Sequence, residues 1–289
     1  MDKRTVDKRI EAQFADLPPM LQRAARFALD HPHAIALHSM RAVAAEAGLQ
    51  ASAMHRLARQ LGFEGYEALR DVYRQWLAQD GGSFAQRATA LQQRGLPDQT
   101  EQLVHELVHA DGRNLQQLAQ PGVLAAIRQA RDILIQARRI FVVGLRSLHP
   151  PAFYFNYACG MFRGNTTLLS GMGGIFADEL RHASREDALV VFSSAPYARD
   201  TVAAVRFAGE QGIRIISVTD SLVSPIAAAA AAAIIVPNTT PSLFPSVVPA
   251  LEVAQALVAL LVASGGQASL DEIRKSEAQL RSFAVYTTS

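Results

Sequence analysis

The pattern of apolar and polar residues changes near residue 139. Before that point, apolar residues recur with the three-to-four-residue spacing of amphipathic helices. After it, short β-branched runs alternate with stretches of helical length. Strands buried on both faces and spaced by helices predict a parallel sheet inside a layered α/β domain. The five predicted strands are residues 140–143, 166–169, 188–192, 213–218 and 233–236.

The same pattern predicts four segments along the chain. These are a helical domain over 1–80, a helical linker over 81–138, an α/β domain over 139–265 and a C-terminal helix over 266–289. The residues Gly81, Gly82 and Ser83 favour the first boundary, because paired glycines end helices and loosen linkers.

An uncharged apolar run over 226–236 includes seven consecutive alanines. It is shorter than the roughly 20 residues that a membrane span needs. We expect the alanines to form a helix packed on the sheet, and residues 247–263 to form a buried amphipathic helix.

Composition limits the partners and the location of the protein. The 28 basic and 26 acidic residues leave a net charge of only +2, so any contact with nucleic acid needs a local basic surface. One cysteine, Cys159, excludes an internal disulfide and fits a reducing compartment. The first ten residues lack the apolar core of a signal peptide, so we expect a cytoplasmic protein without a membrane anchor.

Residues 40–59 have the spacing of a helix-turn-helix motif. Val43 and Ala44 predict the inner face of a first helix, Met54 and Leu57 that of a second, and Gly48 supplies the positive φ of the turn. Residues 20–62 contain five arginines against two acidic residues, enough for phosphate contacts. The alternative is an ordinary helical hairpin with arginines on a solvated face. The positions predicted to face DNA are Gln50, Ser52, Ala53, His55, Arg56 and Arg59.

Polar residues follow three of the predicted strands. In open parallel sheets, ligands bind outside the carboxyl ends of the strands, so these residues predict one cleft rich in hydroxyls. Each serine or threonine could instead cap a helix, and the glycine could form a simple tight turn. The candidate ligand contacts are Gly144, Arg146, Ser147, Ser193, Ser194, Thr219, Ser221 and Ser224.

Two segments resemble a known family. Residues 61–70, LGFEGYEALR, resemble the segment after the recognition helix of the RpiR/MurR bacterial transcriptional regulators. Residues 139–265 resemble the SIS (sugar isomerase) domain that follows in that family. The matching residues there are Arg199-Asp200-Thr201, Val218-Thr219-Asp220-Ser221 and Ser224-Pro225. The resemblance implies an all-helical DNA-binding domain, a phosphosugar-binding α/β domain with a five-stranded parallel sheet, and a metabolite-responsive regulator.

The departures from the family pattern lie in the ligand loops. The usual Ser-x-Ser-Gly-x-Thr is replaced by residues 193–198, SSAPYA, which lack two hydroxyls and one N–H. Arg146 stands where the usual Gly-x-Gly-x-Ser has its second glycine. Its guanidinium could replace neutral hydrogen-bond donors with a positively charged group that donates two hydrogen bonds at once. We therefore expect an anionic ligand, of the sugar-phosphate type or related to it.

Catalysis is the main alternative function. SIS domains also occur in sugar-phosphate isomerases, which need an acid and a base, and Glu179, His182 and Glu252 are the candidates. An attached DNA-binding domain favours a sensor without turnover, so we expect no enzyme, no metal and no cofactor. A phosphosugar-binding protein without a DNA-binding role is the third possibility.

The partners expected of a regulator are a double-stranded DNA operator and a small anionic metabolite. An operator with two half-sites needs two copies of the DNA-binding domain, so we expect a homodimer or homotetramer. The helices over 101–138 and 269–282 are candidate contacts between copies.

Overall fold

The computed structural model describes residues 3–80, 84–94 and 100–287. The predicted break at 81–83 lies outside these residues. The helices of the first half are α1 (Lys3–Gln13), α2 (Pro19–Asp30), α3 (Pro32–Leu37), α4 (Met40–Glu46), α5 (Ala51–Gln60), α6 (Tyr66–Asp80), α7 (Phe84–Gln92), α8 (Thr100–Leu118) and α9 (Pro121–Gln136). The second half contains β1 (Ile140–Gly144), α10 (His149–Gly160), β2 (Thr166–Leu168), β3 (Ala188–Phe192), α11 (Arg199–Glu210), β4 (Arg214–Thr219), β5 (Ala232–Ile235), α12 (Val248–Ser264) and α13 (Gly266–Ser282).

The chain forms two compact units. The first extends to Ala110 and includes Thr240–Pro245, and the second comprises Asp111–Thr239 and the chain from Ser246 onward. The core of the first unit joins α1 to α6 through fully buried side chains, among them Ile10, Ile35 and Met54. The predicted helical character of this region is therefore confirmed.

The second unit is built on one parallel sheet with the strand order β2-β1-β3-β4-β5. Gly144 at the end of β1 pairs with Phe192, and Phe192 pairs with Val218 of β4. The loops after β1, β3 and β4 therefore leave the sheet at one edge, side by side. The predicted fold class, a layered α/β domain with five parallel strands, is confirmed.

Helices cover both faces of the sheet. Alternate strand residues point to opposite faces, so Ile140 and Val142 pack against α9, α10 and α12. Their neighbours Phe141 and Val143 pack against α11 on the other side. Burial on both faces explains why these strands are almost purely apolar in sequence.

The alanine run is not a helix. Residues 225–229 form turns, and the last two alanines of the run begin β5. Three successive i→i+3 hydrogen bonds link Ser221 to Ala230, and the Ala231 amide then donates to Ile215 of β4. Alanine is compatible with each of these conformations, and pairing with β4 outweighs its helix propensity. The prediction of a helix here was wrong.

An ion pair between a buried carboxylate and a half-exposed arginine holds the edge of the sheet opposite the three loops. The Asp187 side chain is fully buried, and Arg138 donates to its two oxygens from Nε at 3.0 Å and Nη2 at 2.8 Å. The amides of Ser184 and Arg139 donate to the same carboxylate at 2.8 and 3.2 Å. Burial alone would raise the pKa of Asp187, but these donors outweigh it and hold the pKa below its ordinary value.

The last two helices were predicted at nearly their observed bounds. The α12 helix buries Val253 and Leu257 against the sheet.

Within the described residues, no single helix is long and apolar enough to cross a membrane. The helices α12 and α13 reach the required length and composition only as a pair, which is bent by 114°.

Candidate functional site

The helix-turn-helix geometry is set by buried contacts and one glycine. Val43 and Ala44 of α4 and Met54 and Leu57 of α5 are all buried in the same core. Gly48 has φ +63°, as the sharp turn requires. The Leu49 amide closes the turn on the Ala44 carbonyl at 2.7 Å. The motif predicted from the spacing therefore forms.

One predicted DNA-facing position is wrong, and the other five are on the surface. Ala53 is only 1% exposed, because it lies one helical turn before Leu57 and shares its buried face. The exposed residues are Gln50, Ser52, His55, Arg56 and Arg59. Gln50 occupies the N-cap of α5 without a capping hydrogen bond from its side chain. Their contacts with DNA stay a prediction.

Two of the exposed residues lie against the loop that follows α5. A Cβ at Gly65 would be 3.3 Å from the His55 ring, so the glycine makes room for the imidazole. Arg59 Nη1 donates to the Glu64 carbonyl at 3.3 Å. The contact with His55 explains why position 65, in the segment 61–70, is a glycine. Of the five exposed candidates, Gln50, Ser52 and Arg56 have no side-chain hydrogen bond or ion pair within the described residues.

The loop after β1 combines a close backbone contact with a strained arginine. A Cβ at Gly144 would lie 2.4 Å from the Leu148 carbonyl oxygen and 2.6 Å from the Ala152 Cβ, so only glycine fits. Arg146 has φ +54°, a left-handed conformation that residues with a side chain rarely adopt. Its side chain is exposed and has no hydrogen-bond or ion-pair partner within the described part of the chain. Ser147 beside it is half-buried.

Several of the predicted hydroxyls at the other loops are engaged by the protein. Thr219 and Ser224 are fully buried, with their hydroxyl oxygens 3.1 Å apart. The Ser221 hydroxyl accepts a hydrogen bond from the Val223 amide at 3.3 Å. Ser193 is 5% exposed, and Ser194 is half-buried. Thr219 and Ser224 therefore hold the turn after β4 in this geometry, and their contact with a ligand stays a prediction.

Asp220 joins two loops of the candidate site, and the sequence-based prediction did not include it. Its carboxylate accepts hydrogen bonds from the Ala195 amide at 3.1 Å and from the Tyr197 hydroxyl at 2.8 Å. The Thr219 hydroxyl lies 3.2 Å from the same carboxylate. Asp220 thus ties the loop after β3 to the loop after β4. An acidic residue directly after a buried strand was the signal in the sequence that could have pointed to it.

Two family models match the sequence in the expected order. The model of the helix-turn-helix domain of the rpiR family matches residues 5–80, and the SIS domain model matches residues 133–260. The chain belongs to the RpiR family of transcriptional regulators. A comparison of this RpiR family chain with curated proteins gives no match.

Solved structures share the fold of this RpiR family chain. It is similar to the sugar isomerase domain of an RpiR transcription factor from Sphaerobacter thermophilus, with 27% identity and a TM-score of 0.57 over 61% of this chain and 99% of that one. It is also similar to the Vibrio vulnificus NanR protein complexed with ManNAc-6P, with 16% identity and a TM-score of 0.56 over 97% of this chain and all of that one. At 16% identity, this second similarity concerns the fold alone.

The three candidate catalytic groups of this RpiR family chain are exposed or half-buried. The Glu179 carboxylate accepts from the amides of Ser170 at 3.4 Å and Gly171 at 3.2 Å, and so holds the loop after β2. His182 and Glu252 are exposed. Cys159 is buried in α10, where burial raises the pKa of its thiol to about 12 and disfavours the nucleophilic thiolate.

Proposed function

We propose that this regulator binds a DNA operator through its helix-turn-helix motif and senses a small anionic metabolite, of the sugar-phosphate type, in its SIS domain. The observation that supports the ligand class is the exposed guanidinium of Arg146 after β1, which has no hydrogen-bond or ion-pair partner among the described residues. The NanR protein of the same fold was solved with ManNAc-6P, a sugar phosphate, which supports the same class for this chain.

The proposal assigns a role to each part of the chain. Residues 1–80 bind DNA, 81–138 link the domains, 139–265 bind the metabolite, and α13 (Gly266–Ser282) forms the C-terminal helix. The proposed ligand contacts are Gly144, Arg146, Ser147, Ser193, Ser194, Thr219, Ser221 and Ser224. The protein acts in the cytoplasm as a homodimer or homotetramer and performs no turnover. The use of Glu179 as a loop-holding acceptor supports the last point.

The DNA-binding part is tested with two matched arginine variants. The full chain first selects its preferred duplex from a random pool, and fluorescence anisotropy then measures the affinity of each variant for that duplex. Arg56→Ala is expected to weaken binding about tenfold or more, because a lost base contact is worth roughly 1–3 kcal/mol. Arg128→Ala removes another exposed arginine, on α9, and is expected to have no effect. Equal losses in both variants would contradict a specific role for α5.

The sensing part is tested on the wild-type duplex complex. Hexose 6-phosphates, N-acetylhexosamine 6-phosphates and the corresponding free sugars are added in turn, and the DNA affinity is measured. Linkage requires that an effector which changes DNA affinity also binds differently to the free and the DNA-bound protein. A change with a phosphate and none with its free sugar is expected. A response to free sugars alone would refute the anionic class, and consumption of a sugar phosphate would refute the non-catalytic role.

A further inference from the structure

The helix α8 contains a glycine that packing does not explain. Gly112 lies inside Thr100–Leu118, and a Cβ there would meet no heavy atom within 4 Å outside the backbone of its own helix. Glycine is the poorest helix former after proline, because its backbone loses the most entropy when it is fixed. The first unit extends to Ala110 and the second begins at Asp111. The helix is therefore weakened close to the point where the chain passes from one unit to the next.

The loop after β5 binds α8 on both sides of this glycine. The Asp111 carboxylate accepts a hydrogen bond from the Ser246 hydroxyl at 2.5 Å, and the Asn114 side-chain amide donates to the Thr239 carbonyl at 2.8 Å. Asn114 is only 3% exposed. A buried polar group is costly to leave without its hydrogen bond, so this contact constrains the helix. The loop thus holds the residues on either side of Gly112.

One residue, Ser246, joins the base of this loop to α12. Its amide donates to the Asn238 carbonyl at 2.9 Å and closes the loop. Its hydroxyl, which donates to Asp111, also accepts a hydrogen bond from the Val248 amide at the start of α12 at 3.2 Å. A shift of the loop base or of α12 therefore reaches α8 through a single side chain.

The loop begins at the edge of the sheet that carries the candidate ligand contacts. β5 is parallel to β4, so the loop after β5 leaves the sheet at the same edge as the loops after β1, β3 and β4. The Val236 amide, directly after β5, donates to the Thr219 carbonyl at 2.8 Å. Asp220, the next residue, ties the loops after β3 and β4 together. A change at the candidate site can therefore reach the loop after β5 through directly bonded neighbours.

The tip of the loop belongs to the first unit. Thr240–Pro245 form part of that unit, whereas the residues on both sides belong to the second. Within the first unit, the rings of Phe244 and of Phe84 in α7 lie with their centroids 4.8 Å apart. The loop thus starts and ends in the unit with the ligand contacts, while its tip is part of the unit with the helix-turn-helix motif.

We propose that α8 hinges at Gly112 and that the loop after β5 acts as a strap on this hinge. Effector binding at the strand ends shifts the strap, the hinge follows, and the DNA affinity of the first unit changes. This inference rests on the proposed sensing function and adds the element that carries the signal. Hinges are a few residues that absorb backbone rotation, and the effector must prefer one state of the hinge for the signal to pass.

The hinge is tested by measuring how strongly an effector changes DNA affinity in the full chain. The effector is the sugar phosphate with the largest effect on the wild type, and fluorescence anisotropy gives the ratio of the DNA dissociation constants with and without it. This ratio is typically about 5–150 in coupled proteins, and Gly112→Ala is expected to lower it roughly threefold or more, because a stiffer helix favours one state. Gly122→Ala in the first turn of α9, where a Cβ also has open space, is the matched control and should keep the wild-type ratio.

The strap is tested at Asp111. Asp111→Ala removes the acceptor of the Ser246 hydroxyl without changing the contact of Ser246 with α12, and is expected to lower the ratio roughly threefold or more. Asp111→Asn keeps a side-chain oxygen that can accept the same hydrogen bond, so it should restore most of the ratio. Calorimetry with the same sugar phosphate and melting curves establish that each variant still binds it and is folded.

The opposite results would overturn the inference. If Gly112→Ala keeps the wild-type ratio, or Gly122→Ala lowers it equally, α8 does not hinge at Gly112. If Asp111→Ala keeps the ratio, or Asp111→Asn lowers it as much as Asp111→Ala does, the loop after β5 is not the strap. In each of these cases a wild type that responds to the sugar phosphate keeps the proposed function intact. A wild type whose DNA affinity responds to no sugar phosphate refutes the sensing function and this inference with it.

Discussion

At position 146 we expect glycine to give a more stable protein than alanine, which is the reverse of the usual order. In ordinary helix or strand positions, glycine is the less stable of the two by roughly 0.5–1 kcal/mol, because it loses more backbone entropy on folding. Arg146 has φ +54°, where any residue with a Cβ is strained. We therefore expect Arg146→Gly to unfold at a higher temperature than Arg146→Ala.

The magnitude follows from two opposing contributions. The left-handed conformation costs a residue with a Cβ about 1–2 kcal/mol, and glycine avoids this cost. The greater entropy loss of glycine offsets about 0.5–1 kcal/mol of that gain. Because the Arg146 side chain is exposed and has no partner in the described residues, packing contributes little. The net expectation is that glycine is more stable than alanine by up to about 1.5 kcal/mol, with a midpoint of about 0.8 kcal/mol.

The assay measures unfolding of both variants by urea, followed by circular dichroism, together with their melting temperatures. For a unit of this size, about 1 kcal/mol corresponds to roughly 2–4 °C. Arg128 in the middle of α9 supplies the matched control, since it is exposed in a regular helix. There Arg128→Gly is expected to be less stable than Arg128→Ala by about 1 kcal/mol. If glycine is also the less stable residue at 146, the loop after β1 is not left-handed in solution and the reasoning is refuted.

Three further substitutions probe other parts of the chain. Gly144→Ala places a Cβ against the Leu148 carbonyl and Ala152, and is expected to cost about 1–3 kcal/mol in urea unfolding. Asp187→Ala leaves the Ser184 and Arg139 amides without their acceptor, while Arg138 keeps Ser184 Oγ and Glu186; because Arg138 is 45% exposed, the substitution should cost about 1–3 kcal/mol. Since the pKa of Asp187 is lowered in the fold, its contribution is present at neutral pH and lost as the pH falls through that pKa, so wild type and variant converge in acid. Met54→Ala opens a cavity in the first unit and should cost about 2–5 kcal/mol and abolish DNA binding, while calorimetry still detects metabolite binding.

The sheet was predictable because burial on both faces marks strands directly in sequence. β3 was placed at its observed bounds, and the other strands were placed within one residue at each end. The alanine run was not predictable in the same way, because alanine packs equally well in a helix, a turn or a strand. Its conformation follows from the hydrogen bond between Ala231 and Ile215, which no local pattern reveals.

The sequence could predict where the candidate site lies, but not the role of each residue in it. Parallel strands end at one edge, so the polar residues after β1, β3 and β4 had to meet there. Which hydroxyl faces the cleft depends on the turn after β4, where Thr219 and Ser224 pair with each other. The role of Asp220 depends on a contact with Tyr197, 23 residues earlier in the chain. Sequence spacing cannot resolve such contacts.

Arg146 connects the stability of the domain with its ligand affinity. Its left-handed backbone costs about 1–2 kcal/mol relative to glycine before the entropy difference is counted. A tenfold gain in ligand affinity corresponds to about 1.4 kcal/mol, which is the same size. A bound ligand stabilises the folded state by mass action, so the guanidinium offsets its backbone cost only when the effector is present. Arg146→Gly and Arg146→Ala should therefore bind the effector with the same affinity while differing in stability. The wild type should be more stable than both variants only when the effector is bound.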